Sequence, residues 1–388
     1  MRITDVCAFL SPHGGGVKTY IEQKLRITPE LGHDLTVIAP ADRSETIVYG
    51  PNARVVTIAS PRLLVDRKYW YFANEEALHR ELDRARPDFV EVSSPWRSAS
   101  MVARWQGPGH THVPRALIMH ADPLSAYAYR WFEPLFPRDV IDRGFEPFWS
   151  HLRTLGQSYD RVVCANRELR ERLTGGGVPN CALHPLGIEA GVFSPDHRDP
   201  ALRARLLELC GLPEDAHLLI GVGRLSAEKR WPMVIDAVTA ASQRHPIGMV
   251  LLGAGRQRTR ILRQIAGNPH IRLLAPERNR PRFAAILASA DALVHGCEAE
   301  TFCLGAAEAR ASGVPVIVPD RGGAADHARD GAGLTYQANN PLSLAAAIDR
   351  QIADPVRPPR SEALTMRDHF ARLYQDYANI LGGQRQVA

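Results

Sequence analysis

Short apolar runs alternate with segments whose apolar residues recur every three or four positions, from the start of the chain almost to its end. Runs of four to eight apolar or β-branched residues read as buried strands, and the helical spacing between them reads as connecting helices. In the first half this pattern predicts strands at 3–10, 35–39, 55–58, 89–92, 116–120 and 161–165. A stretch rich in Pro, Gly and Asp at 185–200 interrupts it, after which strands are predicted at 217–223, 249–253, 271–274, 292–295 and 314–319. Such alternation builds parallel sheets. The expected fold is therefore α/β, with two Rossmann-like parallel-sheet domains at 1–190 and 191–362. A last helical segment, 363–388, carries Phe370, Leu373, Tyr374, Tyr377 and Leu381 at helical spacing and is expected to pack back on the first domain. Ligands of open parallel sheets bind at the carboxyl ends of the strands, so two such sheets facing across a cleft would hold a ligand there.

Composition narrows the classes. A chain of 388 residues exceeds one hydrophobic core, and its 45% hydrophobic and 23% charged residues are those of an ordinary folded protein. No apolar run reaches the roughly 20 residues that span a bilayer, and residues 1–12 lack the basic and long apolar regions of a signal peptide. A cytoplasmic protein is expected, peripheral at the inner face of the membrane if it touches one. Cys7, Cys164, Cys181, Cys210, Cys297 and Cys303 form no CxxC pair and no zinc spacing, so free thiols are expected. The net charge of +5 comes from dispersed arginines, which suits anionic small molecules or an anionic membrane. Nucleic acid is not expected as a partner, because no recognition motif accompanies the charge.

Four segments at predicted strand ends carry candidate chemistry. Residues 11–17 place Gly14, Gly15 and Gly16 where the first strand gives way to a helix, and backbone N–H groups at a helix start attract negative charge. The alternative is an ordinary flexible turn. Residues 221–229 bring Arg224 and Lys229 off the end of a strand, enough to put two cations near one diphosphate; a solvated basic loop is the alternative. Residues 296–308 carry Glu300 ahead of a helix expected to begin near Phe302, with Glu308 inside it. Carboxylates accept hydrogen bonds from paired sugar hydroxyls, while N–H groups around Thr301, Phe302, Cys303 and Leu304 would face phosphates. The fourth is His120, where an apolar strand stops at a histidine followed by Asp122; such a histidine is as often structural as chemical. No Asp-x-Asp pair occurs in the chain, so the usual ligands of a nucleotide-bound divalent ion are missing.

In this order the four segments resemble glycosyltransferase family 4, which has the two-domain GT-B fold. The resemblance rests on Gly223-Arg224-Leu225-Ser226-Ala227-Glu228-Lys229, on Glu300 and Glu308 with seven residues between them, Phe302 among these, and on the glycines at 14–16. It extends to Leu252-Gly253-Ala254-Gly255, to Ala311-Ser312-Gly313-Val314-Pro315 and to Gly322-Gly323. It implies a retaining transferase that needs no cofactor and takes a hexose from a nucleotide diphosphate sugar; the missing Asp-x-Asp makes metal independence the expectation, and the donor sugar is not legible, mannose from GDP-mannose being slightly preferred over glucose, galactose or N-acetylglucosamine from UDP donors. The acceptor would be a hydroxyl of a glycan or lipid-linked molecule in cell-envelope polysaccharide or glycolipid synthesis. By that resemblance Arg224 and Lys229 would hold the diphosphate, Glu308 the ribose and Glu300 the transferred sugar. His120 would lie near the anomeric carbon, Gly15 and Gly16 would contact the donor, and 276–282 would border the base. Two departures stand out: Cys303 occupies a position where glycine is common, and Leu186-Gly187-Ile188-Glu189 replaces Asn-Gly-Val-Asp.

The retaining chemistry expected is a front-face substitution, with double displacement through Asp122 as the weaker route. Rival readings are a sugar-nucleotide 2-epimerase or phosphorylase of the same fold, a non-catalytic nucleotide-sugar binding module, and a nicotinamide dehydrogenase, which the absence of GxGxxG in the first turn disfavours. Residues 62–72 and 127–149 mix basic and aromatic side chains and are candidate membrane or glycan contacts, against simple packing as the alternative.

Overall fold

The computed structural model describes residues 1–10, 16–63, 67–359 and 363–387. The chain divides into two compact units, Met1–Leu186 together with Met366–Ala388, and Gly187–Thr365. The crossings thus fall at 186/187 and 365/366, a few residues from the expected 190/191 and 362/363.

The first unit is built on an eight-stranded sheet of β1 (Arg2–Val6), β2 (Asp34–Ala41), β3 (Glu45–Gly50), β4 (Ala53–Ala59), β5 (Phe89–Ser93), β6 (Arg115–Ile118), β7 (Arg161–Cys164) and β8 (Cys181–Leu183). Its order is β3-β4-β2-β1-β5-β6-β7-β8, parallel except for the β3–β4 pair. β1 stops at Val6, short of the predicted residue 10, although the Cys7 N–H still reaches the Ile38 carbonyl at 2.9 Å. β3 and β8 were not predicted, and both are edge strands. β3 leaves Ile47, Val48 and Tyr49 exposed, so the alternation that marks a half-buried strand is absent.

The second unit carries β9 (His217–Val222), β10 (Ile247–Leu252), β11 (Ile271–Leu274), β12 (Ala292–Val294), β13 (Val316–Pro319) and β14 (Gly333–Tyr336). They lie in the order β11-β10-β9-β12-β13-β14 with parallel pairing throughout. β14, the unpredicted edge here, is four residues long. Val234, Val238, Met249, Leu251, Ile271 and Ile348 form much of the core beside this sheet.

The helix Met366–Val387 belongs to the first unit although it follows the second in sequence. Tyr377 stacks on Phe89 at 3.9 Å between ring centroids, the Tyr374 and Thr28 hydroxyls share a 2.6 Å hydrogen bond, and Asp376 accepts from Arg161 at 2.7 Å and His184 at 3.1 Å. Under this helix lies a fully buried ionic cluster: the Lys24 ammonium donates to Asp5 on β1 at 2.6 Å and to Glu91 on β5. Burial pushes the Glu91 carboxyl up while Lys24 pulls it back down. Burial likewise works against the Lys24 charge, but Asp5 and Glu91 outweigh it and hold the ammonium well above its usual range. All six cysteines are free, and no helix among the described residues is long and apolar enough to cross a membrane.

Candidate active site

β9 and β12 are neighbours, pairing Leu219 with Ala292, so the loops leaving their carboxyl ends run side by side. The first loop is pinned by Trp231, fully buried, whose indole N–H donates to the Arg224 carbonyl at 2.9 Å. The second is backed by the start of the short helix Gly322–His327. Gly322 has φ +72° with its α-carbon facing the Glu298 carbonyl, and a β-carbon on Gly323 would stand 2.6 Å from the Phe302 nitrogen. Two glycines are required there by this close approach and by the positive φ.

Lys229 ends a single 3-10 turn, Ala227–Lys229, and is 8% exposed, with its ammonium paired to Glu300. His295, at the end of β12, stands 3.3 Å from the same carboxylate. Burial alone would raise Glu300, but Lys229 and then His295 hold it well below the usual carboxylate range. Burial alone would lower Lys229, and Glu300 more than reverses this. The Lys229 ammonium is therefore fixed and nearly dry near a strand end, with its charge balanced by Glu300.

Arg224 differs. Its side chain is 66% exposed and meets Glu228 at 3.2 Å, so of the two expected cations only Lys229 is buried and fixed. The physical reason is local: the Arg224 carbonyl is anchored by Trp231 while its side chain leaves the strand end into solvent. Sequence reading missed Arg230, which takes a left-handed conformation (φ 49°) and forks onto Glu298, with its Nε 2.7 and 3.0 Å from the two oxygens. It also missed His295, although a strand ending in histidine was the very signal used for His120.

The helix expected near Phe302 begins at Leu304 and runs to Ala311. Cys303 delays it, adopting φ 70°, ψ 72° as the residue before the first turn. That conformation disfavours any side chain, which explains why glycine suits this position. Phe302 is buried against the His327 ring at 4.8 Å, and its carbonyl accepts from His327 Nε2 at 2.7 Å, so its side chain is a packing element. Thr301 lies half-buried in the turn between Glu300 and Phe302.

Glu308 is buried on the helix Leu304–Ala311, with Arg280 at 2.6 Å. Burial raises its pKa, with Arg280 opposing. Arg280 also reaches Glu189 at 3.2 Å and lies over the Phe193 and Phe283 rings. Glu300 and Glu308 thus belong to two separate ion-pair groups. Glu189, one of the residues that depart from the family pattern, has a defined partner.

In the first unit His120 follows β6, its ring edge-on to Tyr20 at 4.8 Å between centroids. Burial pushes His120 down to about 4. Asp122 is paired with Arg172 and accepts from the Ser125 N–H at 3.3 Å. Gly16 opens the helix Gly16–Glu30, whereas Gly14 and Gly15 lie outside the described residues.

Ligand atoms of His295, Glu300 and Cys303 lie within 4.8 Å of one another, the geometry of a candidate metal centre. The donor set fits a divalent ion poorly. Burial pushes the Cys303 thiol well above its usual range, and the Lys229 ammonium already satisfies Glu300.

Three histidines within the fold set a pH dependence. His120 and His327 are lowered to about 4 and His369 to about 3, in each case first by burial, from an ordinary value of 6.5. Between those values the unfolded chain binds protons that the folded chain does not, so stability is complete above pH 6.5 and falls as the pH drops toward 4. Glu91 and Glu308, both raised, act in the opposite sense but are fewer. Thermal unfolding followed from pH 8 to pH 4.5 is expected to show a level melting temperature down to about pH 6.5 and a decline below it. A flat curve across the whole range would contradict the assigned neutral histidines.

Comparison with known proteins agrees with this layout. A family model described as Glycosyltransferase Family 4 matches residues 14–191, and one described as Glycosyl transferases group 1 matches 209–367. A GDP-mannose-dependent alpha-(1-6)-phosphatidylinositol dimannoside mannosyltransferase of Mycobacterium tuberculosis (strain ATCC 25177 / H37Ra) is 29% identical over 362 residues, covering 93% of this chain and 90% of the relative. A GDP-mannose-dependent alpha-mannosyltransferase of Mycobacterium tuberculosis (strain CDC 1551 / Oshkosh) is 26% identical over 84% of this chain and 81% of its own. Among solved structures, a sucrose-phosphate synthase from Thermosynechococcus elongatus superposes with a TM-score of 0.76 at 17% identity, over 99% of this chain and all of the other. With both halves matched, the fold shared and the strand-end motifs in place, the chain belongs to glycosyltransferase family 4 and is a glycosyltransferase of the GT-B fold.

Proposed function

We propose that this transferase moves mannose from GDP-mannose to a hydroxyl of a lipid-linked acceptor, with retention of configuration and without a divalent ion. The mannosyltransferase relatives support the donor and the class of acceptor. The observation that carries the chemistry is the buried Lys229 ammonium, kept charged by Glu300 at the end of β9.

In this reading the donor diphosphate lies on Lys229 and the start of the helix Leu304–Ala311, where the ammonium and backbone N–H groups face the charge that grows as the phosphate leaves. Arg224, exposed and paired with Glu228, leaves that partner and closes on it from solvent. Glu308 takes the ribose hydroxyls once Arg280 yields, and Glu300 accepts from the hexose. The C1–O bond to phosphate breaks as a C1–O bond to the acceptor forms on the same face, and the acceptor's proton passes to a phosphate oxygen of the departing GDP. Asp122 makes a poor nucleophile, because Arg172 and the Ser125 N–H already occupy its oxygens.

The acceptor would be met at a membrane surface. Tyr127, Trp131, Leu135 and Phe136 are exposed, Leu135 to 76%, and the Arg130 guanidinium lies 5.9 Å from the Trp131 ring centroid. Exposed aromatic and aliphatic groups with flanking cations suit a headgroup layer of anionic lipid. The other basic-aromatic segment is folded on itself: Arg62 lies 4.5 Å over Trp70, and Phe72 is buried.

The test is transfer of labelled mannose from GDP-mannose into phosphatidylinositol-containing liposomes in excess EDTA, with UDP-glucose as the comparison donor. Transfer from the guanine nucleotide at an undiminished rate in EDTA is expected. Loss of activity on chelation, preference for the uridine donor, or failure of the protein to float with the liposomes would each remove the corresponding part of the proposal.

A further inference from the structure

We infer that Tyr20 and His369 are positioning residues for His120, so that the helix returning from the second unit sets the orientation of a reaction-centre side chain. The inference rests on the reading, implied by the family resemblance, that His120 lies near the anomeric carbon of the transferred sugar.

The chain of contacts begins at a carbonyl. Pro185, the penultimate residue of the first segment of its unit, can only accept, so His369 Nδ1 at 2.8 Å must carry a proton and donate. His369 is 2% exposed and burial keeps it neutral, which leaves Nε2 as an acceptor. Tyr20 is 1% exposed, and its hydroxyl lies 3.3 Å from that nitrogen, so the tyrosine donates to it. The Tyr20 ring is thereby fixed at its outer end, and Phe370 braces it at 5.2 Å between centroids. The same ring meets the His120 ring, 4.8 Å away and inclined at 67°. An edge-on aromatic contact restricts ring rotation.

Three elements distant in sequence are joined by this relay: the helix Gly16–Glu30, the end of β6, and the helix Met366–Val387. If the helix Met366–Val387 served only to cover apolar surface, an aliphatic side chain at position 369 would do so without requiring hydrogen-bond partners for two ring nitrogens. Its contacts make sense as a means of holding Tyr20, and through it His120, in one rotamer. A reacting carbon misplaced by a fraction of an ångström loses rate steeply.

The experiment is a double-mutant cycle on kcat. Tyr20→Phe keeps the ring and loses the anchor, Tyr20→Leu loses the wall, and His369→Asn keeps a donor for Pro185 with a shorter reach. On the wild-type background Tyr20→Leu is expected to lower kcat about tenfold, Tyr20→Phe and His369→Asn about three- to fivefold, with donor KM within twofold. On a His120→Ala background the same substitutions should change kcat no further, because the group they orient is gone. Equal losses on both backgrounds would show that Tyr20 and His369 serve only packing and would overturn the inference. Should Tyr20→Leu fold poorly, the two milder variants decide alone by the same criterion. If His120→Ala itself leaves kcat unchanged, the placement of His120 fails, a result distinguishable from failure of the relay.

Discussion

Replacing Lys229 with Ala is expected to lower kcat by about 10²- to 10³-fold, the cost of deleting one preorganised charge from the place where leaving-group charge develops. The structure supports the upper part of that range. The ammonium is buried rather than hydrated and is held in place by one carboxylate, so a phosphate that meets it directly does so in a medium where the contact is little screened. Arg224→Ala should cost less, about tenfold, since an exposed guanidinium paired with a neighbour four residues on is screened and mobile. Lys229→Arg is expected to recover little, because a forked guanidinium does not fit a pocket shaped for a point charge. The measurement is steady-state turnover at saturating donor, with circular dichroism to confirm that Lys229→Ala remains folded. Turnover within threefold of wild type would remove Lys229 from the chemistry and with it the proposed metal-free stabilisation.

The contrast between these two cations marks what was legible in the sequence. Both stand in one motif, Gly223 to Lys229, and residue type alone rates them equally as diphosphate ligands. Their difference comes from Ala227–Lys229 forming a single 3-10 turn that tucks one side chain in while leaving the other out, which no periodicity encodes. Interior strands were readable because burial on both faces writes a continuous apolar run. The edge strands β3, β8 and β14 have one neighbour each and leave a weaker trace. Glu308 could be singled out by its spacing from Glu300, but its partner Arg280 lies 28 residues away and across a helix. The ionic pairing was therefore invisible. Cys303 is an intermediate case: the resemblance flagged it as unusual, and only the backbone conformation, φ 70°, supplies the reason.

Replacing Lys24 with Met is expected to destabilise the first unit by about 3–5 kcal/mol, the usual penalty for removing one partner of a buried ion pair. The methionine matches the lysine stem in volume, so little of this would be cavity cost. What remains is electrostatic: Asp5 and Glu91 project from the adjacent strands β1 and β5, both fully buried, and Lys24 is the cation that donates to each of them. Without it two carboxyls face each other in a medium that solvates neither, and at least one must take up a proton to stay inside. The same reasoning predicts the remedy. Combining Lys24→Met with Asp5→Asn and Glu91→Gln removes every formal charge from the cluster, and because replacing an ion-pair set as a whole is often neutral, most of the lost stability should return. Chemical denaturation of the single and triple variants measures both quantities. A single variant as stable as wild type, or a triple variant no more stable than the single, would mean that Lys24 acts through its packing and not through its charge.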